Sequence, residues 1–245
     1  MKIKYLYLGI LSIFYFKKSV AQEIQVNNNS YFTIHLGSFF NLNNKFENYQ
    51  TIRVLERFNT PGVNAGISYE IEKKHVTLSG GIKYRLIPFG YQYTIYDEQT
   101  NTNFNNSQFY RRSEYFNKMS SLPLKIGYQT LENKAKQRFW FNFGLEPNFS
   151  SKSSYNYSGP YVQFNTYTKN KTFLFYNLGV GITKIQQNGH QLKFGLNLNV
   201  NTSSTAYILG DYTVSLKDRT ISGIFLSSAT NVGMDFSYAF KKKKK

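Results

Sequence analysis

The sequence predicts an all-β protein, an eight-stranded antiparallel up-and-down transmembrane β-barrel with short periplasmic turns and long extracellular loops. Three observations support this fold class. Eight segments alternate apolar and polar residues with a period of two. Short and long connections between these segments alternate along the chain. Aromatic residues make up 18% of the chain. Because barrel strands alternate in this way, no long apolar run is required.

The first 21 residues have the three parts of a secretory signal peptide. Lys2 and Lys4 precede an apolar run of 12 residues, and Ser19 and Ala21 place small residues before a cleavage site. A transmembrane helix needs about 20 apolar residues, so this run is too short to span a bilayer. We expect the mature chain to start at Gln22, with residues 22–29 in the periplasm. A retained membrane anchor is the alternative.

The barrel is expected to cover residues 30–240. Strand one is predicted over residues 30–41, strand two over 62–72, and strand three from His75 onward. Strands four to eight are centred on the alternating segments 122–128, 139–145, 174–182, 192–200 and 232–240. A change of parity at Pro88 indicates a bulge, after which Tyr91 and Tyr93 are expected to continue the outward apolar face.

The connections indicate how the barrel is oriented. Short ones fall near residues 73–74, 131–137 and 186–189, and long ones at 42–61, 97–112, 150–171 and 202–228. In outer-membrane barrels the periplasmic turns are short and the extracellular loops are long. With an even number of strands, both chain ends then lie in the periplasm. The third long loop also alternates, which predicts an exposed hairpin.

The last predicted strand resembles the C-terminal signal that barrel-assembly machinery recognises. Its pattern is carried by Gly233, Phe236, Tyr238 and Phe240. Residues 241–245 are five lysines, expected to form a basic periplasmic tail. The net charge of +17 includes this tail and the basic N-terminus, and no basic helix accompanies it. We therefore expect no nucleic-acid partner.

These features together resemble the outer-membrane β-barrel domain of Bacteroidota, the broad group that includes PorT-like proteins and eight-stranded OmpA-like barrels. The resemblance rests on Leu122-Pro123-Leu124 with Tyr128, on Leu178-Gly179-Val180-Gly181 and on the aromatic C-terminus. Ser121 departs from the family pattern, which has an acidic or aliphatic residue there. The resemblance implies an outer-membrane location, and PorT-like members are implicated in type IX secretion.

Strand parity assigns a set of polar residues to the barrel lumen. The predicted lumen network consists of His35, Glu70, Lys83, Arg85, Lys125, Arg138, Glu146, Lys193 and Asp235, with Glu72 and Trp140 nearby. Because an eight-stranded barrel holds only its own side chains, we expect these charges to pair and fill the lumen. Expected pairs are Glu146 with Lys83 or Arg85, and Asp235 with Lys193. A narrow solute path lined by Lys83, Arg85 and Lys125 is the alternative.

The sequence offers little support for catalysis. His75 and His190 are expected at solvated strand starts, and His35 as a hydrogen-bonded lumen residue. No metal-ligand spacing and no phosphate loop is recognisable, so we expect no enzyme, cofactor or metal. The loop residues Phe104, Phe109, Tyr110, Tyr155, Tyr157, Tyr161 and Tyr167, with many Asn and Ser, have a composition used in recognition surfaces.

The sequence therefore predicts a structural or interaction protein of the outer membrane without an open pore. The alternatives are a porin-like barrel that binds or transports small solutes, and a lipid-modifying outer-membrane enzyme. Expected partners are outer-membrane lipid, the barrel-assembly machinery and an envelope or secretion-system protein.

Overall fold

A computed structural model describes residues 29–42, 44–48, 55–57, 59–95, 108–151, 154–159, 161–168, 171–202, 208–215 and 220–242. The predicted signal peptide, Phe104 and residues 243–245 of the tail lie outside these ranges. Within them, no helix is present that could span a membrane. The strands are β1 (Asn29–Asn41), β2 (Asn44–Asn48), β3 (Leu55–Arg57), β4 (Gly62–Lys73), β5 (Val76–Ile95), β6 (Gln108–Ser121), β7 (Leu124–Gln129), β8 (Gln137–Ser150), β9 (Ser154–Ser158), β10 (Val162–Thr168), β11 (Thr172–Ile185), β12 (Gln191–Asn201), β13 (Ile208–Ser215), β14 (Thr220–Ser227) and β15 (Asn231–Lys241).

The main sheet closes on itself. Going around it, β1 pairs with β4, β4 with β5, β5 with β6 and β7, β7 with β8, β8 with β11, β11 with β12, β12 with β15, and β15 with β1. All pairs are antiparallel, and β6 with β7 fills a single position in the wall. This is a closed eight-stranded barrel, as the sequence predicts.

The fourth wall position is interrupted at Leu122-Pro123. Proline has no backbone N–H and therefore cannot donate to the ladder. The neighbouring strands close the gap, because Gly81 N donates to the Pro123 carbonyl at 3.1 Å and Leu122 N donates to the Pro147 carbonyl at 3.0 Å. The wall is thus continuous across the break.

Side chains alternate across the wall, as the period of two requires. In β1, Phe32 is 45% exposed on the outer surface, whereas its neighbour Thr33 is 1% exposed toward the lumen. The other barrel strands repeat this arrangement with exposed outward residues such as Leu78, Phe141, Val180 and Met234. The outside of the barrel is therefore apolar and the inside mostly polar.

The connections at one end of the barrel are short. The β4–β5 turn has Lys74 at φ 55, and the β11–β12 turn has Gly189 at φ 80. In the β7–β8 turn, the Asn133 side-chain oxygen accepts hydrogen bonds from the backbone N–H groups of Ala135 and Gln137. We call this the short-turn end; the opposite, long-loop end carries the remaining connections.

The bulge expected near Pro88 exists, but it belongs to the partner strand. Ile87 pairs with Asn117 and Pro88 with Tyr115, so the extra residue is Phe116 of β6. The parity of β5 therefore does not change, and the prediction that Tyr91 and Tyr93 face outward is wrong. Tyr91 is 1% exposed, on the same inward row as Lys83 and Arg85.

A second, five-stranded sheet is built from the long loops in the order β2-β14-β13-β10-β9. We call it the outer sheet. β9 and β10 form the hairpin expected in the third long loop. Only one face of this hairpin is exposed, because Val162 and Phe164 on the other face are 0% exposed.

The outer sheet packs on the long-loop end of the barrel through an apolar cluster, here called the mouth cluster. The barrel strands contribute Phe39, Ile87, Tyr91, Tyr93, Met119 and Phe175, and the outer sheet contributes Val162, Phe164, Tyr212, Val214, Ile221 and Phe225. Ala229 joins them from the β14–β15 connection. The rings of Tyr91 and Phe164 lie 4.5 Å apart between centroids. The apolar row of β5 beyond Pro88 is thus inward because it packs against a second sheet.

Candidate functional site

The candidate site is the lumen, where the polar inward residues stack in layers. At the short-turn end, Arg138 forms an ion pair with Glu72, and Gln191 Nε2 donates to Glu72 Oε2 at 3.4 Å. Arg138 also lies 3.6 Å from Glu132 of the β7–β8 turn. Glu72 is 3% exposed and Gln191 is 0% exposed, so this layer is closely filled.

The middle layer contains two further ion pairs. Lys83 Nζ lies 2.9 Å from Asp235 Oδ2, and Lys193 Nζ lies 2.5 Å from Glu70 Oε1. Asn197 Nδ2 also donates to Asp235 Oδ2, at 2.8 Å. Each carboxylate therefore has a cationic donor, which offsets the cost of removing it from bulk water.

A small cavity of about 70 Å³ lies within this middle layer. His35, Lys125 and Trp140 are among its lining residues. Lys125 forms no ion pair with any residue that the structure describes, so it is the one lumen cation of the predicted network left without a carboxylate there. The cavity could accommodate a few water molecules.

His35 has a serine partner that sequence spacing did not indicate. His35 Nε2 and Ser68 Oγ share a hydrogen bond of 2.6 Å. Thr33 of β1 is the register partner of Ser68, which places Ser68 two residues along the shared face from His35. A catalytic serine–histidine pair needs a third group that orients the imidazole. No such hydrogen bond to His35 Nδ1 occurs among the described residues.

The layer below the mouth cluster contains the most deeply buried ion pair. Arg85 Nη2 lies 2.7 Å from Glu146 Oε1, with the two side chains 1% and 0% exposed. Ser121 Oγ donates to the same carboxylate oxygen at 2.5 Å. The guanidinium carbon of Arg85 lies 5.2 Å from the ring centroid of Phe175, a cation–π contact.

An asparagine ladder accompanies this pair across three neighbouring strands. Asn177 Nδ2 donates to Asn199 Oδ1 at 2.6 Å, and Asn199 Nδ2 donates to Asn231 Oδ1 at 2.8 Å. All three side chains are buried. The ladder satisfies polar groups that would otherwise be costly to bury. None of the three belongs to the predicted lumen network, although the period of two places them on the inward face of their strands.

One of the two predicted pairings is correct and the other is wrong. Glu146 pairs with Arg85, one of its two expected partners, but Asp235 pairs with Lys83 rather than with Lys193. Lys83 reaches Asp235 across the intervening strands, where Gly66 and Gly37 leave space. A Cβ at Gly37 would clash with the Asp235 carboxylate, and one at Gly66 would lie 3.3 Å from Lys83 Cβ.

The other two histidines lie at the short-turn end, as expected. His75 Nδ1 is 2.9 Å from the Gln129 carbonyl oxygen, and its ring stacks on Tyr128 at 5.5 Å. His190 Nδ1 accepts a hydrogen bond of 2.9 Å from the backbone N–H of Lys241. The described residues contain no group of three His, Asp or Glu side chains that could hold a metal ion.

The loop aromatics are divided between packing and exposure. Tyr157 and Tyr161 pack against the mouth cluster, so their role includes holding the outer sheet in place. Tyr167 is 48% exposed on the opposite face of that sheet. The side chains of Phe109, Tyr110 and Tyr155 are outside the described set.

The residues of the expected assembly signal lie along β15. Phe236 and Phe240 are exposed on the outer surface, and Tyr238 lies on the same row. Gly233 faces inward, where a Cβ would lie 2.7 Å from Phe39 Cβ. The row is thus lipid-facing near the C-terminus, and its inward glycine accommodates a residue of the mouth cluster.

The outward surface defines the environment of the barrel. Every wall position presents exposed apolar residues, among them Leu36, Ile67, Ile82, Ile126, Phe143, Leu178, Phe194 and Phe236. A soluble monomer rarely exposes a contiguous apolar patch larger than a few hundred Å². A closed sheet with an apolar exterior satisfies all backbone hydrogen bonds inside hydrocarbon. The chain is a transmembrane barrel of the outer membrane, with its short turns toward the periplasm.

Solved structures to which this chain is similar include small outer-membrane barrels. Neisserial surface protein A is 10% identical, with 83% of this chain and 95% of that chain covered and a TM-score of 0.35. The N-terminal β-barrel domain of Pseudomonas aeruginosa OprF is 10% identical, with 85% and 97% covered and a TM-score of 0.36. The translocator domain of the autotransporter NalP from Neisseria meningitidis is 7% identical, with 98% of each chain covered and a TM-score of 0.34.

No family model matches the chain, and no curated protein matches it.

Proposed function

We propose that the chain is a structural or interaction protein of the cell envelope whose barrel has no open pore. The mouth cluster is the observation that carries this proposal. Six buried residues of the barrel strands and six of the outer sheet meet there with Ala229 of the β14–β15 connection, and closely packed apolar side chains exclude water and ions.

The polar layers of the lumen, between the mouth cluster and the short-turn end, support the same proposal. Four ion pairs cross the lumen, formed by Glu72, Glu70, Asp235 and Glu146 with their cationic partners. An ion that passed through would have to displace these pairs or share their charges. Breaking a buried pair by removing one partner costs about 3–5 kcal/mol. The lumen is therefore better suited to supporting the wall than to conducting.

Planar-bilayer recording tests the proposal. We expect the full folded chain to give no reproducible single-channel steps in 1 M KCl, while a known porin inserted into the same bilayer gives them. Folding is checked beforehand by a heat-modifiable shift in gel mobility. Reproducible steps from the folded chain would support the alternative, a small-solute transport barrel.

We also propose that the barrel is not an enzyme. His35 has Ser68 as a partner, and both line the small cavity of the middle layer. No orienting acid is hydrogen-bonded to His35 among the described residues. Changing His35 to Ala should leave the lipid A and phospholipid composition of the native envelope unchanged. A difference in either lipid profile would revive the lipid-modifying alternative.

A finer assignment follows the sequence resemblance. We propose membership of the PorT-like outer-membrane barrels of Bacteroidota, entry through a cleaved signal peptide, and insertion by the barrel-assembly machinery. An envelope or secretion-system protein is the proposed partner. Gln163, Asn165 and Tyr167, exposed on the outer sheet, offer one surface for it. Co-purification from native envelopes, with and without residues 241–245, tests whether the tail instead holds the partner.

A further inference from the structure

Exposed lysines are distributed around the short-turn end of the barrel. The β4–β5, β7–β8 and β11–β12 turns lie at this end, together with the C-terminal end of β15. Each has at least one exposed lysine beside it. The lysine ring consists of Lys73, Lys74, Lys134, Lys136, Lys184 and Lys241.

Two members of the ring are in register with the lipid-facing rows. Lys73 continues the outward row of β4 after Tyr69 and Ile71. Lys184 continues the outward row of β11 after Val180 and Ile182. A lysine at such a position can place its aliphatic stem along the apolar surface and extend its ammonium group to the headgroup level.

The ring has little negative charge to balance it. Glu132 is the one exposed acid at this end among the residues that the structure describes, and it already lies 3.6 Å from Arg138. Glu70 and Glu72 point into the lumen and are paired there. The positive charge of the ring is therefore available to an external anion.

We propose that the lysine ring binds the phosphate groups of anionic phospholipids in the periplasmic leaflet. A lipid partner is favoured over an acidic protein because the lysines surround the circumference and two of them lie on lipid-facing rows. Attraction of a basic side chain to an anionic membrane is worth about a fivefold gain in affinity per lysine. The proposal goes beyond the closed-lumen function and does not depend on it.

Lipid titration of the folded full chain, followed by native mass spectrometry in detergent, tests the proposal. The probes are dioleoyl phosphatidylglycerol and dioleoyl phosphatidylcholine, which share acyl chains and differ in headgroup charge. We expect at least tenfold tighter binding of phosphatidylglycerol by the unaltered chain. The double variant K73Q/K184Q should bind phosphatidylglycerol about 25-fold more weakly, with phosphatidylcholine binding unchanged.

The matched control is the double variant K118Q/K171Q, which removes two exposed lysines from the long-loop end. It should stay within twofold of the unaltered chain, and both variants should keep the heat-modifiable gel shift. Equal affinity for the two lipids, or an equal loss in the control variant, would overturn the proposal. Tighter binding of soluble poly-glutamate than of phosphatidylglycerol at equal charge concentration would also overturn it, since the ring would then be a binding site for acidic protein.

Discussion

At the scale of single residues, the inward row of β5 shows how one face can change its chemistry. Lys83 and Arg85 lie in the polar lumen, and Tyr91, farther along the same row, lies in the mouth cluster. The sequence shows an apparent parity change because the inward residues of β5 are polar where they face the lumen and apolar where they face the mouth cluster. The bulge itself could be predicted from Pro88, but its position in β6 depends on the pairing.

The partners of charged residues were the least predictable part of the site. Parity alone placed Lys83, Lys193, Glu70 and Asp235 in the lumen. Which pairs form depends on side-chain reach across the barrel, and Gly37 and Gly66 provide the space for one of them. Strand parity fixes the face on which Lys83 lies, but not that its side chain crosses two strands to Asp235.

Removing one member of the Arg85–Glu146 pair is expected to lower the free energy of unfolding more than replacing both members with apolar residues. Changing Glu146 to Ala leaves Arg85 buried and unpaired, with an expected loss of about 3–5 kcal/mol. The double variant Arg85→Met with Glu146→Leu should recover most of that loss, since apolar side chains of similar volume need no partner. Equilibrium urea unfolding in lipid vesicles, followed by the fluorescence of Trp140, measures both. A single variant as stable as the double variant would contradict the pairing.

Gly195 is required by the close approach of an indole ring. A Cβ at Gly195 would clash with the Trp140 ring and lie 2.8 Å from the Val180 carbonyl oxygen. We expect Gly195→Ala to destabilise the barrel by about 1–3 kcal/mol through overpacking. The control is Gly80→Ala, where the Cβ would meet the end of a flexible Leu124 side chain at 3.2 Å. Equal urea midpoints for the two variants would show that the indole does not occupy this position.

At the scale of elements, the eight wall positions could be predicted because each is encoded locally by a period of two. The strand bounds in the structure extend the predicted ones by a few residues, as with β8 over Gln137–Ser150. The outer sheet was missed except for its β9–β10 hairpin. Its pairing of β2 with β14 joins residues far apart in sequence, for example Phe46 with Phe225, and local patterns do not reveal such contacts.

A substitution in the mouth cluster is expected to loosen the outer sheet without unfolding the barrel. Phe164 is 0% exposed, with its ring 4.5 Å from Tyr91 and 5.7 Å from Tyr212. Changing Phe164 to Ala removes these contacts, and burial losses of this kind cost about 3–5 kcal/mol. Externally added protease should then cleave the β9–β10 hairpin faster while the heat-modifiable shift persists. Gln163→Ala, on the exposed face of the same strand, is the control and should cleave at the unaltered rate.

At the scale of the whole molecule, the C-terminal strand combines a wall position with a proposed assembly signal. Phe240 and Phe194 are both lipid-facing, 41% and 53% exposed, but only Phe240 belongs to that signal. If the machinery recognises it, Phe240→Ser should slow insertion by reconstituted assembly machinery several-fold, while Phe194→Ser should not. Spontaneous folding into thin bilayers should be similar for the two variants. Equal insertion rates would remove the assembly role of Phe240.

The barrel is a closed cylinder in which each strand faces lipid with one side and the lumen with the other. The chain has no cysteine, so single cysteines carrying spin labels can be placed along β15 at Met234, Asp235, Phe236 and Ser237. In a lipid bilayer, collisions with oxygen should be frequent at Met234 and Phe236 and rare at Asp235 and Ser237. Uniform accessibility along the strand, or the reverse alternation, would contradict the barrel as described.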